Sequence, residues 1–167
     1  MNPSGRNSSG RKALGRNAGG DRPFRPSRRL RHAEHVLTRV RVADLADGRN
    51  LDRTVLFQGR DHAAQVSVFL VDNLPGQGPR LHRHPYTETW IVQEGRPLFV
   101  ADGEEVLPEI GEILTVTPGT AHKFVNLGPG RMRLVCIHAS PDLVQEDLES
   151  DEERRAFADA RVAAAAQ

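Results

Sequence analysis

Three side chains able to ligate a metal fall in the stretch His82-Arg83-His84-Pro85-Tyr86-Thr87-Glu88. With His82 and His84 on a strand, both imidazoles point to one face, because side chains two apart on a strand share a face. Pro85 to Thr87 then turn the chain, and Glu88 returns on the neighbouring strand to the same point in space. Two neutral imidazoles and a carboxylate suit Zn, Fe, Mn, Co or Ni, and a fourth ligand would hold the ion more firmly. His122 is the best candidate for that ligand, since it opens a short apolar run after the turn Thr117-Pro118-Gly119-Thr120, with Phe124 and Asn126 on its face. His32, His35 and His62 stand alone, whereas His138 ends an apolar run and could reach the same cavity.

The elements that must carry these residues read as strands. From His35 onward, short runs rich in Val, Ile, Leu and Phe recur between turn residues, the spacing of an antiparallel sandwich or barrel. Expected strands are 36–42, 53–57, 64–71, 80–84, 88–93, 97–101, 105–107, 112–117, 122–126 and 132–138. The Asp102-Gly103 pair suits a two-residue type I′ hairpin turn, which needs φ > 0 at both positions. Ser150 followed by Glu153 fits a capping box, and residues 154–166 are mostly Ala and charged side chains, so the spacing predicts a terminal helix. Ser140-Pro141 would start a further turn of helix through Leu148, with Val144 and Leu148 on one face.

The chain of 167 residues fits one ordinary domain with tails: a basic segment 1–31, a barrel over 32–140 and a helical segment over 141–167. Of 23 Lys/Arg and 22 Asp/Glu, nine basic and one acidic lie in residues 1–31, leaving 14 against 21 in the remainder. That remainder is acidic, which speaks against nucleic acid as a partner. Residues 1–31 are Gly, Ser, Asn, Arg and Pro with too few apolar residues to offset the entropy of ordering, so disorder is expected. The segment reads either as an arm for an acidic partner or as a solvated tail or upstream extension. Cys136 is the one cysteine, which excludes an intramolecular disulfide and a multi-thiolate metal cluster and fits a reducing cytoplasm. No apolar run approaches the roughly 20 residues that span a bilayer, so no membrane helix is expected.

The spacing of these residues resembles the cupin family. Its first motif is matched by Gly76, His82, His84, Glu88 and Gly95, and its second by Gly111, Gly119, His122 and Asn126. One position departs: Thr117 stands where the family has proline, and the proline present is Pro118. The resemblance implies an all-β fold, a cupin double-stranded β-helix (jelly-roll) barrel of six to eight strands or slightly more over about Val36 to Ser140. A short C-terminal helix follows it. It also implies one divalent transition metal (Fe, Mn, Ni or Zn) on His82, His84, Glu88 and His122. It does not name a reaction, since the fold hosts many activities and some members that only bind.

Four ligands would leave two positions of an octahedral ion open for exchange. Fe(II) there suits a dioxygenase-like oxidation of a chelating substrate, whereas Zn, Mn or Ni suits an isomerase-like reaction of a small oxygenated molecule. The rival is a metal-supported binding or sensing module without turnover, and a third reading is a structural homodimer unit. By strand parity Arg80 shares the face of His82, and Trp90 and Val92 share that of Glu88. Arg80, Trp90, Phe124, Asn126 and His138 are therefore the expected pocket residues, with Trp90 and Phe124 equally readable as core, while Cys136 reads as a buried small hydrophobe. No serine or cysteine nucleophile is arranged with a base, no phosphate-cradling glycine loop precedes a helix, and Glu104-Glu105 after a hairpin turn is ordinary solvated charge.

Overall fold

A computed structural model describes residues 37–45 and 54–167. The basic segment 1–31 lies outside the described residues.

The longest strands form where buried and more exposed side chains alternate. In chain order the strands are β1 (Val55–Phe57), β2 (Ser67–Asn73), β3 (His82–Arg83), β4 (Glu88–Glu94), β5 (Pro97–Ala101), β6 (Glu104–Val106), β7 (Ile113–Val116), β8 (His122–Asn126), β9 (Met132–His138) and β10 (Glu146–Asp147). Two five-stranded sheets result, with orders β1-β2-β9-β4-β7 and β10-β3-β8-β5-β6, and every pairing is antiparallel. This is the double-sheet, jelly-roll arrangement that the sequence implies. Trp90, Val92, Met132, Leu134 and Cys136 alternate inward from β4 and β9 and meet Phe99 and Phe124 of the other sheet. Burying such side chains between two sheets is the main stabilising term of a fold this size.

Every residue of β8 is buried, unlike the alternating strands. The cause is α2 (Asp151–Ala165), which lays Ala158 and Phe157 on Leu98, Val125 and Leu127, so that the second face of β8 is covered as well. The helix starts as the sequence predicts: the Glu153 amide donates to Ser150 Oγ at 3.2 Å and the Ser150 amide donates to Glu153 Oε2 at 2.8 Å. The β5–β6 hairpin also turns as expected, with φ of 47° at Asp102 and 87° at Gly103. Its Asp102 side chain accepts from the Ala121 amide at 3.0 Å, which fastens the turn to the residue before His122.

Two expected elements differ. Residues 37–41 form no strand, and Val42–Leu45 make a single helical turn, α1. Leu37 is 76% and Val42 51% exposed, and this segment pairs with no strand among the described residues. The expected turn of helix over 140–148 is replaced by an extended strap. Glu146 and Asp147 pair with Arg83 and His82, and the Leu148 amide donates to the Leu81 carbonyl at 2.8 Å. Extended backbone gives β3 a hydrogen-bonded neighbour, whereas a helix would have left Val144 and Leu148, both exposed, with nothing to pack on.

The coil before β3 passes so close to β8 that Gly78 has no room for a side chain: a Cβ there would press into the Phe124 carbonyl. Gly78→Ala is expected to destabilise the domain by about 2 kcal/mol or more through displacement of β8. Thermal denaturation checks this, and an unchanged midpoint would show that the coil yields instead.

Candidate metal centre

His82 on β3 stands directly opposite His122 on β8, and Glu88 on β4 stands opposite His138 on β9. The first pair belongs to one sheet and the second to the other, so the centre lies where the two sheets face each other. Pro85 to Thr87 carry the chain across, as the sequence suggests, and the Gly119 amide donates to the His84 carbonyl at 2.8 Å, holding the second turn against the first. Potential ligand atoms of His82, His84, Glu88 and His122 all lie within 4.8 Å of one another, and all four residues are buried. Ring centroids of His122 are 4.4 Å from His82 and 5.3 Å from His84.

The outer nitrogens decide what the inner ones present. His82 Nδ1 lies 2.6 Å from the Arg80 carbonyl, His84 Nδ1 2.6 Å from the Val144 carbonyl, and His122 Nδ1 2.8 Å from the Thr120 carbonyl. A carbonyl can only accept, so each Nδ1 carries the proton and donates it, and in the neutral ring Nε2 offers a lone pair to the centre. Facing them, Glu88 Oε2 is 2.9 Å from His122 Nε2 and 3.1 Å from His84 Nε2. The His84 contact lacks hydrogen-bond geometry, and this buried nitrogen has no hydrogen-bond partner among the described residues. Several lone pairs and a carboxylate converging without protons to share is the donor set a divalent cation satisfies.

Burial lowers the pKa of His82 to about 4, against the pull of its hydrogen bond to the Arg80 carbonyl. Burial likewise lowers His138 to about 4, against the nearby Glu88 charge. For Glu88 burial acts to raise the carboxyl, but the imidazoles of His122 and His84 outweigh it and hold the group at about 2. The carboxylate is thus ionised and His82 and His138 are neutral at neutral pH, the protonation states that metal ligation requires.

A cavity of about 550 Å³ opens onto the centre, and His82, Glu88, His138, Arg80 and Phe124 contribute to its wall. His138 Nε2 is 3.3 Å from Glu88 Oε1, the oxygen turned away from the other histidines, and its Nδ1 is buried without a hydrogen-bond partner. Trp90 and Asn126 are not on that wall. Trp90 packs in the core against Phe99, and Asn126 is an internal clasp: its Nδ2 donates to the Asn73 and Gly130 carbonyls and its Oδ1 accepts from the Gly128 amide. Cys136 is fully buried, and burial raises its thiol well above the ordinary range. His62 stacks on Phe57, away from the centre.

The strap was not visible in the residue pattern. Besides the Val144 carbonyl on His84, the Tyr86 hydroxyl donates to that carbonyl at 3.1 Å and accepts from the Val144 amide at 3.0 Å. Glu149, half-buried at the end of the strap, accepts from the Leu81 amide and from Lys123 Nζ, both at 2.7 Å. One carboxylate therefore clips together the residue before His82 and the residue after His122.

The family described as Cupin domain matches residues 69–138. An uncharacterized protein of Methanocaldococcus jannaschii is 33% identical over 76 residues, which are 44% of this chain and 59% of the relative's length. Among solved structures, a conserved protein with a double-stranded β-helix domain from Klebsiella pneumoniae is similar at 23% identity. That likeness covers 68% of this chain and 100% of that one, with a TM-score of 0.53. An oxalate oxidase in complex with the substrate analogue glycolate is similar at 18% identity over 72% of this chain and 68% of that one, with a TM-score of 0.56. At these identities the likeness to solved structures is one of fold. The motif spacing, the sheet orders and the family match agree: residues 69–138 match the Cupin domain family, and the fold around them is a double-stranded β-helix.

Proposed function

We propose that His82, His84, Glu88 and His122 hold one divalent transition metal, and that the protein is a metal-dependent enzyme acting on a small oxygenated molecule in the cavity, in a dioxygenase-like or isomerase-like reaction. The observation that carries this is the set of three imidazoles whose Nδ1 protons are all engaged by backbone carbonyls, leaving Nε2 atoms gathered on a buried carboxylate beside a cavity. A bound metal would polarise a ligand oxygen or, if redox-active, exchange an electron. The chain's own part is positional. His138 sits against the second Glu88 oxygen and turns the first toward the histidines, while Phe69, Val71 and Phe124 give the cavity an apolar wall that limits water.

Metal-supported binding without turnover is the second reading. It is favoured by the state of two carboxylates on the cavity wall, Asp147 and Asp151, both engaged by Arg80. Anaerobic purification with quantification of Fe, Mn, Ni and Zn, followed by O₂ uptake with catechol-like and diketone substrates, separates the two. Iron with substrate-dependent O₂ consumption, or a bound metal with isomerised product, supports the enzyme. Tight ligand binding with no conversion supports the binding module, and absence of bound metal under all conditions removes both.

A homodimer fits the same picture. Val106, Leu107, Ile110 and Ile113 are exposed, the last by 66%, and lie between β6 and β7, which end their sheets among the described residues. A second copy covering these edges would bury them. Ile113→Lys is expected to shift the protein from dimer toward monomer in sedimentation velocity, with the fold unchanged by circular dichroism. A native chain that sediments as a monomer at every concentration would end this reading. A reducing cytoplasm remains the proposed compartment, in keeping with the single buried thiol of Cys136.

A further inference from the structure

Building on the metal reading above, we infer that the cavity takes a chelating ligand with an uncharged, partly apolar body and discriminates against a dianionic dicarboxylate. Two guanidinium groups border the cavity, and both are matched before any ligand arrives. Arg80 Nη1 is 2.7 Å from Asp147 Oδ2, and its Nε is 3.1 Å from Asp151 Oδ1. Arg154 Nε lies 3.8 Å from the same Asp151 oxygen, and its Nη1 donates to the Gly78 carbonyl at 3.5 Å. Arg80 is the side chain that a carboxylate-binding site would use, since its planar fork engages carboxylates bidentately. Here Asp147 of β10 and Asp151 of α2 already take that role.

With Glu88 included, the wall carries three carboxylates against two guanidinium groups, so a divalent ion would leave one net positive charge when the imidazoles are neutral. One positive charge suits a head group that gives up a single proton on chelation, such as a hydroxamate, a phenolate or an enolised diketone. A second carboxylate on the ligand would meet Asp147 and Asp151 and lose its own solvation without a free cation in exchange, a cost that separates ligands by sign of charge. The remaining lining favours an apolar body: Phe69, Val71 and Phe124 are there, and about 550 Å³ is ample for a ring-sized group.

Hydroxamates share one chelating head and differ in the tail, so they isolate this effect. The native chain loaded with Co(II) is titrated calorimetrically with benzohydroxamate and with succinomonohydroxamate. Benzohydroxamate is expected to bind at least about tenfold more tightly. In the double variant Asp147→Asn, Asp151→Asn, Arg80 is released, and the gap is expected to shrink at least about fivefold through stronger binding of the carboxylate-tailed ligand. Neither aspartate is in the core, so the substitutions spare it, and the comparison in the native chain stands without them. A gap that is absent or reversed in the native chain, a gap that survives the double substitution unchanged, or failure of the Co(II)-loaded protein to bind either ligand overturns the assignment of ligand class. A chain that takes up no Co(II) overturns the metal reading itself, so the two failures are distinguishable.

Discussion

His84→Ala is expected to weaken metal binding at least about tenfold and to remove about half or more of the thermal stabilisation that added metal confers. The effect is large because His84 contributes at both ends of its ring. Its Nδ1–H is spent on the Val144 carbonyl and its Nε2 is a buried atom without a hydrogen-bond partner, aimed at the Glu88 carboxylate. Alanine removes a proposed ligand and also frees the strap from the turn that carries His84. A metal that binds only the folded form at a hundred times its dissociation constant adds about 2.7 kcal/mol to stability, and tenfold weaker binding cuts this to about 1.4 kcal/mol. The shift in melting temperature with and without metal, at fixed free metal, reads the difference directly and cancels any loss from the packing defect itself. His62→Ala, at a histidine stacked on Phe57 outside the centre, is expected to leave the metal-dependent shift intact. An unchanged metal stoichiometry and shift in His84→Ala would remove His84 from the ligand set.

The parts of this centre that lie close along the chain could be read from residues alone. Strand parity puts His82 and His84 together, and a turn containing Pro85 brings Glu88 back, both being local rules. His122 was identifiable because a turn precedes it, but that it pairs with His82 is a matter of strand order between β3 and β8. The sheets follow the apolar alternation where a partner strand exists, as in β4 and β9. Residues 37–42 have similar apolar spacing but no partner strand among the described residues, and they form no strand. Parity also says which face a side chain takes but not how deep along the strand the cavity ends. Trp90 is inward like Glu88, yet it lies two residues further along the strand, where it packs against Phe99 in the core. The strap departs from its local pattern for a different reason. Val144 and Leu148 have helical spacing, whereas the extended form is selected by Arg83, Leu81 and Tyr86, far away in the chain, through the Glu146 ion pair and three backbone contacts. Glu149 carried no local signal at all, since its partners Leu81 and Lys123 are adjacent to it only in the folded chain.

Lowering the pH is expected to destabilise the metal-free protein steeply between pH 6.5 and pH 4. His82 and His138 titrate near 4 in the folded chain because burial disfavours their charged forms, against an ordinary value of 6.5 when unfolded. Between these values the unfolded chain binds more protons, so stability falls as pH falls. The neutral-histidine contribution is fully present above pH 6.5 and is lost on the way down to 4. Two such protons give a slope of up to about 2.7 kcal/mol per pH unit in the middle of that window. Glu88 works in the same direction at lower pH. Its folded value of about 2 lies below the ordinary 4.5, so its contribution is present above 4.5 and lost as pH falls toward 2. Urea denaturation of metal-free protein at half-unit steps from pH 7.5 to 4.5 measures the slope. His138→Phe keeps the site filled with a ring that cannot charge, and it is expected to reduce the slope by close to half. A midpoint that stays flat across this range would mean that water reaches His82 and His138 well enough to charge them without unfolding the barrel, and the dry, preorganised character of the centre would go with it.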